Sequence, residues 1–257
     1  MELLRSRIRR TKLGEIAYLG INALLPLAVL LLIRSFDSLY PALVLVLLSK
    51  WRILALRPRF WWMSLKANAV DLLFGISIVG LLAILQSSQA SLLMELAVAV
   101  IYGGWLLYLK PRSSQSSILL QAGITQFVAL TTLFNISTIV NDFVIIAGCW
   151  VIGYSVARHV LSNYEEESTE LFSTIWGLFL AQLGWLLYHW TTIYDIGLPI
   201  KLPQISLLVI VIGFTAVRIY TSARASRLSE MMLRLTTIFS IILILIIIIF
   251  SRWDVTI

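Results

Sequence analysis

Residues 35–52 read SFDSLYPALVLVLLSKWR, and the count of membrane crossings turns on them. Their apolar centre, Leu39 to Leu48, rises only about 15 Å as a helix at 1.5 Å per residue, while a bilayer's hydrocarbon core is roughly 30 Å thick. To cross, the segment must borrow the turns around Ser35 and Trp51 and let Lys50 and Arg52 run their aliphatic stems to the interface. A re-entrant hairpin is the alternative.

Outward from this stretch the reading is simpler. Full-length apolar runs fall near 15–33, 67–86, 91–109, 115–134, 140–160, 170–190, 203–220 and 233–250, each close to the roughly 20 residues a spanning helix needs. The expected fold is all-α: a polytopic transmembrane helix bundle of about nine spans, or eight plus a re-entrant or short second segment. Composition agrees, because 60% of the 257 residues are hydrophobic and 13% charged, with a mean hydropathy of +0.93. A soluble domain is about half apolar and a quarter charged, so a water-soluble fold is excluded.

Residues 1–257 are thus read as one integral membrane domain. Within it lie a basic N-terminus at 1–14, an interfacial aromatic-basic segment at 50–66 and an acidic loop at 161–169. Arg5, Arg7, Arg9, Arg10 and Lys12 precede the first apolar run as they would in a signal peptide. No small-residue cleavage site follows, and an uncleaved first span is expected.

Charge favours a crossing second segment. With it, all of the 20 lysines and arginines except Arg34, Lys201 and Arg252 share the face of the N-terminus, as cytosolic loops do. This predicts nine spans in a plasma membrane or bacterial inner membrane, N-terminus cytosolic and C-terminus outside. A basic inner face suits anionic lipids of the cytosolic leaflet, at about 1 kcal/mol per cation, and no nucleic acid is needed to explain it.

The acidic residues follow the helix dipole. Glu15, Asp71, Glu95, Asp142 and Glu170 fall at or near helix starts, where the positive end of the dipole stabilises a carboxylate. Asp71 and Glu95 lie about one turn inside, but at opposite leaflets, so they form no carboxylate pair. His159 and His189 close spans at opposite faces. No metal-ligand spacing or cofactor motif is present, and the single cysteine, Cys149, is read as a packing residue. Glu165, Glu166, Glu167 and Glu170 are read as a solvated cluster pairing with Arg158 and Arg224.

Trp51, Arg57, Arg59, Trp61 and Trp62 have the composition of a headgroup-level anchor. At mid-depth the polar residues are Asn22, Gln121, Gln126 and Gln182, with Tyr154 and Trp185 nearby. Amides in hydrocarbon bond across helices for about 0.6 kcal/mol each, or Asn22, Gln126, Gln182 and Trp185 line a pocket for a neutral solute. Pro26 is expected to kink the first span beside Asn22. Cys149, Gly153 and Ala157, and Ser173, Gly177 and Ala181, recur every four residues; small residues so spaced let backbones approach, predicting a tight antiparallel pair of the sixth and seventh spans. The run from Ile241 to Ile249 predicts a peripheral last span.

No catalytic set emerges. The leading functional expectation is an assembly, scaffold or accessory subunit of a membrane complex, bound to another membrane protein or to copies of itself. A carrier or channel for a neutral or lipid-like solute is the alternative. A lipid-modifying enzyme using Asp71 with Arg57 and Arg59, or the Glu165 cluster, is the third.

Overall fold

A computed structural model describes residues 12–51, 55–190, 193–194, 197–226 and 231–250. Arg5, Arg7, Arg9, Arg10, Arg52, Arg227, Glu230, Arg252 and Asp254 lie outside the described residues, and with them most of the basic N-terminus.

The helices are α1 (Lys12–Phe36), α2 (Tyr40–Leu48), α3 (Trp61–Ala67), α4 (Ala69–Ser87), α5 (Leu92–Gly104), α6 (Gln115–Asn135), α7 (Asp142–Asn163), α8 (Thr169–His189), α9 (Gln204–Arg224) and α10 (Met231–Ile249). A 3-10 turn, Pro58–Phe60, leads into α3, and α5 runs on into a π-turn, Trp105–Leu109. A minimal antiparallel pair, β1 (Ile193–Tyr194) with β2 (Leu202–Pro203), precedes α9. Among the described residues, 8 helices are long and apolar enough to cross a membrane, all except α2 and α3. The chain is a multi-pass helical membrane protein.

The doubtful second segment is a helix of 9 residues opened by Pro41, whose missing N–H costs nothing in a first turn. Ion pairs show how it lies. Arg34 near the end of α1 meets Glu95 at the start of α5, which marks one end of the bundle. Lys50, just past α2, and Lys110, just past the π-turn, both meet Asp71 at the start of α4, which marks the other. From Asp37 to Lys50 the chain therefore runs end to end on roughly 20 Å of helical rise. The Lys50 side chain supplies the remaining reach.

Tight reversals follow α1, α4 and α7, where Asp37, Gln89 and Glu165 take left-handed conformations with φ of 47°, 52° and 53°, and Ser226 past α9 takes one with φ of 55°. One such residue ends a helix and turns the chain back. Phe74, Ile78, Val79 and Leu82 of α4 and Leu130 and Phe134 of α6, a parallel pair of helices in contact, are buried in one core at the centre. Helices α1, α2 and α5 pack on one side of α4; α7, α8 and α9 extend the bundle from α6. Helix α1 runs unbroken through Pro26, which cannot donate to the Asn22 carbonyl. On the described residues of α10 only Leu233 and Ser240 are buried, and the helix packs chiefly on α9.

The most extensive helix contact is α7 with α8. A Cβ on Gly153 would stand 3.1 Å from Gly177 Cα, and one on Gly177 would stand 3.0 Å from the Trp150 carbonyl oxygen. Backbone thus touches backbone at the two glycines. Gly184 extends the seam against Cys149, whose Sγ a Cβ would meet at 2.5 Å.

Candidate functional site

Among the described residues, three polar groupings and one exposed helix face stand out as candidates. The first is built where α2, α4 and α5 converge. Asp71, in the first turn of α4, is 12% exposed and accepts from Lys50 and, at 2.7 Å, from Lys110 on the same oxygen, Oδ2. Trp105 Nε1 donates to the other oxygen, Oδ1, at 3.2 Å. The π-turn makes this possible: its extra residue re-aims Trp105, which stacks on Phe74 at 3.9 Å with its N–H toward Asp71. Two ammonium groups against one carboxylate leave one positive charge in excess, so the grouping suits an anion rather than a cation.

Beside it the Tyr102 hydroxyl is buried and makes no hydrogen bond to the described residues. Such a group keeps its desolvation cost without recompense. Tyr102→Phe is therefore expected to raise stability by about 1 kcal/mol, measured by denaturant or SDS unfolding in lipid. A loss of similar size would mean that the hydroxyl has a partner in the membrane.

The second grouping lies at the same end. Glu170 joins Lys66 at 3.0 Å and Arg158 at 3.2 Å and accepts from Tyr154. Tyr154 oxygen and Glu170 beside it raise the Lys66 ammonium above its ordinary lysine value. Tyr220 donates to Glu166, and Arg224 donates to the Tyr164 carbonyl. Two members of the acidic cluster are thus consumed by internal ties, while Glu165 and Glu167 stand apart from them. Tyr154, read as a mid-depth residue, reaches the bundle end instead.

Gln121 is corrected likewise. Its amide nitrogen caps the carbonyls of Leu109 at 2.7 Å and Arg112 at 3.0 Å, and His159 Nε2 donates to its oxygen at 3.0 Å. It holds the π-turn, α6 and α7 together near the Lys50 end. The third grouping is at the opposite end, where Glu95, 1% exposed, accepts from Arg34 Nε at 2.6 Å. Asn135 there exchanges bonds with Lys201, donating to its carbonyl at 2.7 Å and accepting from its N–H at 2.9 Å.

The aromatic-basic segment is exposed from Ala55 to Met63, while Lys50 at its start is buried. Trp51, Trp61 and Trp62 are 63%, 41% and 64% accessible, Arg57 and Arg59 are exposed, and Arg59 lies over the Phe60 ring at 4.6 Å. Lys66 sits over Trp62 at 5.3 Å, fastening the segment to the second grouping.

The four residues considered for a pocket lie apart. Asn22 is on α1, Gln126 is buried on α6, and Gln182 and Trp185 are on the outer face of α8. Helix α1 packs on α2, α4, α5 and the π-turn, and α8 packs on α7 and α9. Gly153, Ala157, Gly177 and Ala181 line the α7–α8 side or its margin, with both glycines buried.

That outer face of α8 presents a polar side chain to the lipid at mid-depth. Leu171, Ile175, Leu178 and Trp185 are 60%, 52%, 58% and 43% exposed, and Gln182 and His189 are exposed among them. Among the described residues Gln182 is the one amide exposed in the middle of a spanning helix, and it makes no hydrogen bond to them. It stands about 10 Å along the helix from His189, too far for its short side chain to reach headgroups.

Sequence reasoning overlooked that Lys50 and Lys110 partner Asp71. The signal was present in the alternation of the spans: helices that end near 50 and 110 and one that starts near 71 must share an end. No protein-family model, no curated protein and no solved structure matches this chain.

Proposed function

We propose that this protein is an assembly subunit of the membrane, acting by holding another integral membrane chain against the outer face of α8. Gln182 carries the reading. A carboxamide left in hydrocarbon without a partner costs several kcal/mol, and interhelical amide bonds are what relieve that cost in membranes. Asp71, Glu95, Glu166, Glu170 and Gln121, by contrast, all bond to neighbouring elements of the bundle. They serve to fix the shape on which the α8 face is presented.

Gln182→Leu is expected to lower recovery of the multi-chain assembly about tenfold after extraction in mild detergent, the effect of roughly 1.4 kcal/mol. The bundle itself should unfold as the wild type does, since the side chain is exposed and makes no hydrogen bond to the described residues. Size-exclusion chromatography with light scattering reads both. An assembly of unchanged yield and size in Gln182→Leu would remove this face from the account.

The proposal includes an orientation. Lys50, Arg57, Arg59, Lys66, Lys110, Arg112, Arg158 and Arg224 gather at one end, against Arg34 and Lys201 at the other. We take the lysine-rich end as cytosolic, in a plasma or bacterial inner membrane whose anionic lipids the exposed Arg57–Trp62 segment meets. A thiol-labelling reporter at Ser113 should be reached only from the cytosol and one at Gln89 only from outside. The reverse pattern would invert the assignment.

A further inference from the structure

We infer that the partner seated on α8 is a second copy of this chain, its Gln182 carboxamide paired with Gln182 across a two-fold axis along the membrane normal. The inference rests on the assembly reading above and names its partner.

Positions 171, 175, 178, 182, 185 and 189 alternate steps of four and three along α8, the spacing of a left-handed helix–helix seam. Any lipid-facing helix repeats its outer positions in this way, so spacing alone names no occupant. What separates α8 is a single carboxamide in the middle of a stripe that is apolar on one side of it and carries Trp185 and, at the helix end, His189 on the other. One polar residue at such a seam position fixes register and copy number.

The symmetry of insertion selects the copy. Every copy of a membrane protein enters the bilayer in the same direction, so a two-fold axis relating two of them stands along the normal and sets each residue at the depth of its twin. Gln182 then faces Gln182. A carboxamide carries both a donor N–H and an acceptor C=O, so two of them form a closed pair with two hydrogen bonds. A carboxylate or an ammonium at this place would repel its twin; an amide satisfies it.

The rest of the stripe is compatible with self-contact. Leu171, Ile175 and Leu178 are apolar and meet their own kind on the two-fold. Glu170, the nearest charge, is held by Lys66 and Arg158 and so is neutralised within its own chain. The inner side of α8 is already occupied by α7, where Ser173, Gly177 and Leu180 are buried. Only the outer side is left for a second copy.

Cross-linking in native membranes tests this. In a Cys149→Ala background with Gln182 intact, Ile175→Cys and Leu178→Cys are each treated with a thiol oxidant. Val100→Cys on α5 and Leu235→Cys on α10, 71% and 50% exposed to the same lipid, serve as controls. All four positions are exposed, so the variants keep their packing. The expected result is a homodimer adduct at 175 and 178, absent at 100 and 235. Adding Gln182→Leu should reduce it about tenfold, and Gln182→Asn, which keeps the amide, should retain it. Equal adducts at all four positions would mean random collision and overturn the inference. An adduct of 175 or 178 with a different polypeptide overturns the second copy and leaves the assembly role standing. No adduct of any kind at 175 and 178 removes both.

Discussion

Replacing Asp71 with asparagine should cost about 3–5 kcal/mol of stability, the loss expected when one partner of a buried ion pair is taken away. The reason is specific to this grouping. Lys50 is 9% exposed and shares one carboxylate oxygen with Lys110, so without Asp71 two ammonium groups face each other with no counter-charge. Lys110, 30% exposed, can swing toward water, but Lys50 is fixed by the length of α2. The second change that should rescue the variant is therefore Lys50→Met, which keeps the stem and deletes the charge. The double variant is expected to recover most of the loss, read as an interaction in a double-mutant cycle. If Asp71→Asn unfolds like the wild type, the grouping does not hold α2 to α4 and α5, and Asp71 must be sought in a chemical role.

The other large effect is expected at Gly177. An isoleucine there must place Cβ 3.0 Å from the Trp150 carbonyl oxygen and 3.1 Å from its Cδ1, closer than van der Waals contact allows, before its own branches are counted. Backbone cannot step aside as a side-chain tip can, so α7 and α8 must separate. Overpacking a core typically costs about 1–3 kcal/mol; here the lost helix contact adds to it, and Gly177→Ile should fall at or beyond the upper end. Gly123, with nothing within 4 Å of a Cβ, supplies the control: Gly123→Ala should be neutral or gain up to about 1 kcal/mol from helix propensity. Unfolding of both variants in mixed micelles checks the pair. An isoleucine variant within 1 kcal/mol of the wild type would mean that the two helices are not in contact at Gly177.

The long spans were legible because a bilayer asks for a single property over a long window, and eight runs have it without ambiguity. The second segment was legible only in part, since hydropathy cannot tell a short crossing from a re-entrant turn. Its end-to-end course rests on Lys50, whose reach is a side-chain property. The role of Asp71 was hidden for a different reason. A carboxylate in a first turn is accounted for by the helix dipole alone, and its partners arrive from other helices. Gln121 and Tyr154 were misjudged in depth because counting residues from a span's edge ignores which way a side chain runs along the helix. For Gln182 the depth was legible but not the face. On one side of α8 it would have met Gly153, on the other it meets lipid or a partner, and only the packing of α7 decides.

In the proposed reading the multi-pass bundle presents the Gln182 carboxamide to a neighbouring chain. Native mass spectrometry of the full chain released from native membranes tests it most directly, because one spectrum reads the number of chains and any bound molecule. The account predicts assemblies of more than one chain that collapse to single chains in Gln182→Leu. A lone wild-type chain carrying a discrete lipid or small-molecule mass would contradict it, and would move the function to carriage or chemistry on that molecule.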